Sequence, residues 1–256
     1  VIEVALISFM LMIFYLKKSK KSLTFSLSLG KELLQKSKYY ILTGLMVTLF
    51  QQTDKIMLKL MIDESETGFY SIALTCVGTT AFIYGAIIDS LRPSILEGYK
   101  ISKAVFEHRI RILFSIITYL SIFQCLFMSV FANQIISIIY GPAYYASVNI
   151  LKISVWYITF GYYGMVIHIW ILANEKQKFL LPINILGAII NIVMNFSFIP
   201  IFGACGAALA SVITQFIINF LTCFIIKPMR PIAKLMITSF NPKYVMSYFI
   251  KLISRK

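Results

Sequence analysis

Five polar side chains stand where an apolar helix should cross a bilayer. Residues 39–62, YYILTGLMVTLFQQTDKIMLKLMI, are long enough for one crossing, yet their second half holds Gln51, Gln52, Asp54, Lys55 and Lys59. At about 100° per residue, Thr48, Gln51, Gln52, Lys55 and Lys59 share roughly a 100° arc. Leu42, Met46, Leu49, Ile56, Met57 and Leu60 cover the other side. In a membrane protein such a stripe faces a water-filled cavity or the protein interior, which is chemistry for moving polar cargo. Lys55 lies about 24 Å along the helix from Tyr39 and Lys59 about 30 Å, so Lys59 reaches the outer interface equally well. Lys152 enters at a similar level near the start of a later span. The expectation is that Asp54, Lys55 and Lys152 line one polar cavity; the alternative is an internal ion pair that holds two helices together.

The remaining polar residues at membrane depth read as structural. Asp89 and Arg92 are three apart and can pair on one helix face. His168 reads as a helix-packing histidine. Asn191 and Asn195, four apart, present two amides for interhelical bonds. Asp63 and Glu66 have capping-box spacing for a helix beginning near Gly68. Gly203, Ala207 and Ser211 form a small-xxx-small ridge suited to close packing. Cys76, Cys125, Cys205 and Cys223 lack metal-ligand spacing. No phosphate loop, His–Glu metal motif or nucleophile elbow occurs, so neither a cofactor, a metal nor an enzymatic activity is expected.

Composition sets the class of the elements that carry these residues. Apolar residues make up 59% of the 256-residue chain and charged residues 13%, with a mean hydropathy of +0.83. A soluble domain carries about a quarter charged residues. The expected fold is all-α, a polytopic integral membrane bundle. Its spans are seven: 1–16, 39–61, 67–91, 112–132, 148–173, 179–199 and 204–226. Connections alternate in charge. Segments 17–38, 92–111, 174–178 and 227–256 are rich in Lys and Arg, whereas 62–66 is acidic and 133–147 and 200–203 carry no Lys or Arg. The basic side is therefore expected to be cytoplasmic, with the C-terminus inside, and the net charge of +14 is a topology signal rather than a nucleic-acid patch. The run 1–16 starts abruptly at Val1 and reads as a helix cut short. Segment 17–38 is expected along the inner membrane surface. The tail is either an amphipathic interfacial segment or disordered.

Three segments carry a family resemblance. They are Asp54, Ile56, Met57 and Leu58 followed by Gly68, Tyr70 and Ser71; the outer turn Gly141, Tyr144 and Tyr145; and Asn191, Asn195, Ile199, Pro200, Gly203, Gly206, Ala207 and Ala208. In this order the chain resembles the C-terminal half of a lipid-linked oligosaccharide flippase, the O-antigen or polysaccharide exporter branch of the MATE-like superfamily. The resemblance implies two six-helix lobes arranged as a V and alternating access in a bacterial cytoplasmic membrane. Residues 1–16 would be the last helix of the first lobe, 17–38 a basic linker, 39–226 the second lobe and 227–256 a cytoplasmic tail. The implied partners are a polyprenyl-diphosphate-linked oligosaccharide, membrane lipids, the N-terminal lobe and a coupling cation, proton or sodium. The implied pathway residues are Gln51, Gln52, Asp54, Lys55, Lys59 and Lys152. A multidrug exporter, a membrane polysaccharide polymerase or acyltransferase, and an inactive gene remnant stay open as alternatives.

Overall fold

The computed structural model describes residues 2–18, 26–242 and 244, without the side chains of 2–5, 36, 39, 40, 43, 45–47 and 49–51. All regular structure among them is helical. The chain divides into two compact units, Val1–Lys38 and Tyr39–Lys256. The first holds α1 (Ile2–Lys18), whose side chains from Leu6 to Leu16 are exposed, and the start of α2 (Leu27–Met61). Helix α2 thus begins twelve residues before the expected position 39, because 27–38 contains neither Pro nor a chain-reversing turn.

In the second unit, α3 (Glu64–Gly78) and α4 (Ala81–Ile101) replace the single span expected over 67–91. They bend by 40° at Thr79–Thr80. The Thr79 and Thr80 hydroxyls donate to the Cys76 and Val77 carbonyls at 2.7 and 2.9 Å, satisfying acceptors that the break releases. From α5 (Lys103–Val130), the Gln124 amide donates to the Thr80 hydroxyl at 2.6 Å and pins the bend. Pro93 lies inside α4 without ending it. The helix stops instead at Ser102, whose extended backbone ends α4 and whose hydroxyl accepts from Val105 N–H to start α5.

The connection 133–147 is largely helical. Helix α6 (Ala132–Ile139) buries Ala132 and Ile136, and Gly141 at φ 86° turns the chain toward Pro142–Tyr144. Helix α7 (Ser147–Ala173) is the centre of the unit, packing on α3, α5 and α8 (Leu180–Phe216), with Leu151, Val155 and Val166 fully covered. Up to residue 240 the tail is ordered and packed on the bundle rather than disordered. Helix α10 (Arg230–Ser239) buries Ile232, Leu235 and Met236 and is tied to α5. There Arg111 donates to the Thr238 hydroxyl at 2.9 Å, and Ser115 and Tyr119 each donate to a tail carbonyl at 2.6 Å. The tail at 243 and 245–256, and the linker at 19–25, lie outside the described residues.

Helix α8 is two helices. Gly203 has φ 56° and ψ −135°, a conformation that only glycine adopts without strain, and the chain reverses there. The pairing across it is antiparallel: Gly206 abuts the Phe198 carbonyl, Asn191 meets Ser211, and Gly187 meets Ile218. The legs 180–202 and 204–216 are therefore separate, as expected from the sequence. The second leg continues through a π-helical turn, Ile217–Leu221, into α9 (Thr222–Ile225). Among the described residues, three helical stretches are long and apolar enough to cross a membrane, Lys103–Val130, Ser147–Ala173 and Gln177–Ile225, the last containing both legs of the hairpin; the bent α3–α4 pair makes a fourth if it is one span.

Asp63 caps α3, accepting from Glu66 N–H at 2.8 Å, as the capping-box spacing predicts. The Glu66 carboxylate goes elsewhere. It accepts from Ala204 N–H at 2.8 Å, capping the second leg just past the reversal. Glu66→Gln keeps an acceptor but removes the charge, so a loss of about 0.5–1 kcal/mol is expected, and Glu66→Ala should cost about twice that. Thermal unfolding in detergent would read both.

Candidate functional site

The polar residues of the spans converge on one carboxylate. Asp54, near the C-terminal end of α2, is 3% exposed. It receives three hydrogen bonds from three other helical segments. Tyr70, two turns into α3, donates its hydroxyl at 2.6 Å. Asn195, on the first leg of α8, donates its amide at 2.7 Å. Ser211, on the second leg, donates its hydroxyl to the same carboxylate oxygen as Tyr70. Asn195 also donates to Asn191 at 3.2 Å, and Asn191 donates to Ser211 at 3.4 Å, closing a ring. Among the described residues no ion pair involves Asp54. Its partners are neutral donors, so it is not the internal ion pair offered as the alternative.

This ring depends on the hairpin. A close reversal at Gly203 is what brings Asn191 and Asn195 level with Ser211. A buried carboxylate in low dielectric costs several kcal/mol unless its lone pairs are satisfied, and three donors from fixed helices supply that here. One acceptor in the ring, the Asn195 carbonyl oxygen, is buried without a partner.

Asp54 and Tyr70 form one end of a cavity of about 610 Å³. Gln52 and Lys55 line the same end. Tyr157, Gly161, Gly164 and His168 form one stripe along α7 at helical spacing, about 16 Å from first to last. Asn184, Gln215 and Asn219 close the far end. His168 is exposed and lines the cavity rather than serving as a packing histidine.

Of the residues singled out from the sequence, Gln52, Asp54 and Lys55 come together on this wall. Lys59 is exposed and pairs with Glu64 at 2.6 Å. Lys152 is exposed on α7 and does not line the cavity. The side chain of Gln51 lies outside the described residues. Asp89 and Arg92 pair at 3.0 Å. Sequence reasoning missed Tyr70 as a partner of Asp54 and missed the Asn184, Gln215 and Asn219 group. The stripe of Tyr157, Gly161, Gly164 and His168 was a usable signal, since two glycines and two polar rings share one face of an otherwise apolar span.

An all-helical, strongly apolar chain with a buried carboxylate beside a cavity lined by both polar and apolar side chains is a polytopic membrane protein. The model of the polysaccharide biosynthesis protein family matches residues 2–149, and the chain belongs to that family. No curated relative and no solved structure matches it.

Proposed function

We propose that this chain is the second lobe of a flippase that moves a polyprenyl-diphosphate-linked oligosaccharide across a bacterial cytoplasmic membrane. The observation that carries the proposal is the cavity, with Lys55 and hydrogen-bonding side chains on its wall, in a chain of a polysaccharide biosynthesis family. A diphosphate headgroup cannot enter hydrocarbon unaided, and a lysine inside a protein cavity offers it a counter-charge. The polyprenyl tail stays in lipid. A first lobe of six helices supplies the facing wall of a V, and alternating access opens the cavity to either side. The charge bias of the connections supports a cytoplasmic C-terminus.

Asp54 is the coupling element in this reading. Its carboxylate, the unpartnered Asn195 oxygen and the Ser211 hydroxyl make an oxygen-rich cluster that suits a proton or a hard cation such as sodium. Occupancy there would bias how α2, α3 and the hairpin pack. The same carboxylate would serve a cation-coupled multidrug exporter, the second reading. That reading is disfavoured by Lys55, which repels organic cations from the same wall.

The test is complementation. The protein expressed from its whole gene should restore surface polysaccharide to a flippase-deficient strain. Restoration of drug efflux without polysaccharide would sink the lipid reading. Lys55→Gln should lower export roughly tenfold, the worth of one charge-assisted contact. Lys59→Gln and Lys152→Gln, outside the cavity, should stay within about twofold of wild type. Quantified surface polysaccharide at equal protein abundance reads all three.

A further inference from the structure

The far end of the cavity is built differently from the end that holds Asp54 and Lys55. Gln215 and Asn219 lie one and two turns beyond Ser211 on the second leg, about 6 and 12 Å farther along. Asn184 stands on the opposite leg. No acidic, Lys or Arg side chain is among the described residues lining this end, apart from His168 on α7. Its polar groups are neutral amides.

Two features show that the backbone is arranged to present them. The turn Ile217–Leu221 is π-helical, a rare and poorly packed geometry that recurs at functional sites. It places Asn219 on the cavity wall next to Gln215. Across from it, Gly164 leaves the space that the Asn219 side chain fills. A Cβ at Gly164 would stand 2.6 Å from the Asn219 carbonyl oxygen and 2.9 Å from its amide carbon. The seat of Asn219 exists because residue 164 has no side chain.

The amides keep capacity to spare. Asn219 donates one N–H to the Gln215 carbonyl oxygen, and its amide nitrogen carries a second. Asn184 donates to the Leu180 carbonyl at 2.7 Å, which leaves its own carbonyl oxygen to accept. The Gln215 nitrogen carries two N–H donors, one of which faces the Tyr157 hydroxyl, so one is left for a ligand. A sugar hydroxyl both donates and accepts, so it matches a mixed set of amide donors and acceptors better than a phosphate does. Tyr157, half-buried on the same wall, offers aromatic surface to the C–H faces of a sugar ring.

We infer that Asn184, Gln215 and Asn219, seated against Gly164, form a subsite for the sugar nearest the diphosphate and set selectivity for the glycan. The inference rests on the flippase reading: the diphosphate is held near Lys55 and the first sugar lies toward the π-turn. Gly164→Ala then acts on the substrate without deleting a polar group, by pushing Asn219 from its seat.

The experiment measures binding to the protein expressed from its whole gene, in lipid nanodiscs, with two probes. One is undecaprenyl diphosphate and the other is undecaprenyl diphosphate carrying N-acetylglucosamine. Wild type should bind the sugar-bearing probe more tightly. Asn219→Ala and Gly164→Ala should weaken that probe roughly fivefold to tenfold, the worth of one or two neutral hydrogen bonds, and leave the bare probe unchanged. Lys55→Gln should weaken both. Asn184→Ala, on the other leg, gives the same selective loss if either of the first variants fails to fold. Equal wild-type affinity for the two probes, or equal losses on both in the amide variants, would overturn the subsite while leaving the flippase reading intact. Binding of neither probe by wild type would overturn the flippase reading, and the subsite with it.

Discussion

Asp54→Ala is expected to lower the abundance of the protein in membranes several-fold and its stability by about 3–5 kcal/mol. The size follows from what is left behind. The Tyr70 hydroxyl, the Asn195 amide and the Ser211 hydroxyl all donate to this carboxylate, and all three side chains are buried. Each stranded donor costs about 1–3 kcal/mol, and the three are coupled through one ring, so the losses do not simply add. Asp54→Asn is the informative companion. Its carbonyl can still accept from Asn195, while its amide faces two hydroxyls that can rotate to accept. It should fold with a much smaller loss, yet export should fall more than tenfold if the carboxylate takes up the coupling cation. Thermal unfolding in detergent and quantified surface polysaccharide separate the two effects. Wild-type export by Asp54→Asn at reduced abundance would leave Asp54 a purely structural hub.

Gly206→Ala should be as damaging, for a steric reason. A Cβ there would stand 2.3 Å from the Phe198 carbonyl oxygen, 2.6 Å from its carbon and 3.0 Å from the Ile199 nitrogen. All three are backbone atoms, so no rotamer change relieves the clash. The hairpin must open, and opening it separates Asn191 and Asn195 from Ser211. A loss above about 3 kcal/mol is expected, at the upper end for overpacking because the ring is lost as well. Gly85→Ala is the control. It lies inside α4 with open space around it, so the added methyl should be neutral or stabilise by up to about 1 kcal/mol through helix propensity. Melting temperatures of the two variants, measured side by side in one detergent, test this. Similar values for both would mean the two legs do not approach as closely as described.

Much of the helical framework was legible because lipid imposes it. Long apolar runs separated by charged or turn-forming segments leave few alternatives to helices. The reversal at Gly203 was legible as Pro200 and Gly203 between two apolar runs. The bend at Thr79–Thr80 was not, because nothing in an apolar run marks where a side chain from another helix will satisfy released carbonyls. Pro93 is accommodated inside α4, because one lost hydrogen bond is tolerated in a helix that other contacts hold.

The candidate site was legible in pieces. Asp54, the Asn191–Asn195 pair and the Gly203–Ala207–Ser211 ridge each stood out in the sequence, but on different grounds. What joins them is the register between helices, and that depends on close approach at Gly187 and Gly206 rather than on any local pattern. A donor count would have helped. A lone carboxylate, two amides and a hydroxyl at membrane depth have few partners except one another. Lysines misled because a polar stripe on a helix does not say which of its members clear the rim: Lys59 finds Glu64 outside the cavity, while Lys55 four residues earlier lines it.

The most direct measurement of the central claim is transbilayer movement of a fluorescent polyprenyl-diphosphate oligosaccharide in proteoliposomes containing the protein expressed from its whole gene. The account predicts movement well above protein-free vesicles, dependent on a proton or sodium gradient, reduced roughly tenfold by Lys55→Gln and abolished by Asp54→Asn. Movement no faster than in protein-free vesicles, with gradient-driven uptake of an organic cation instead, would contradict it.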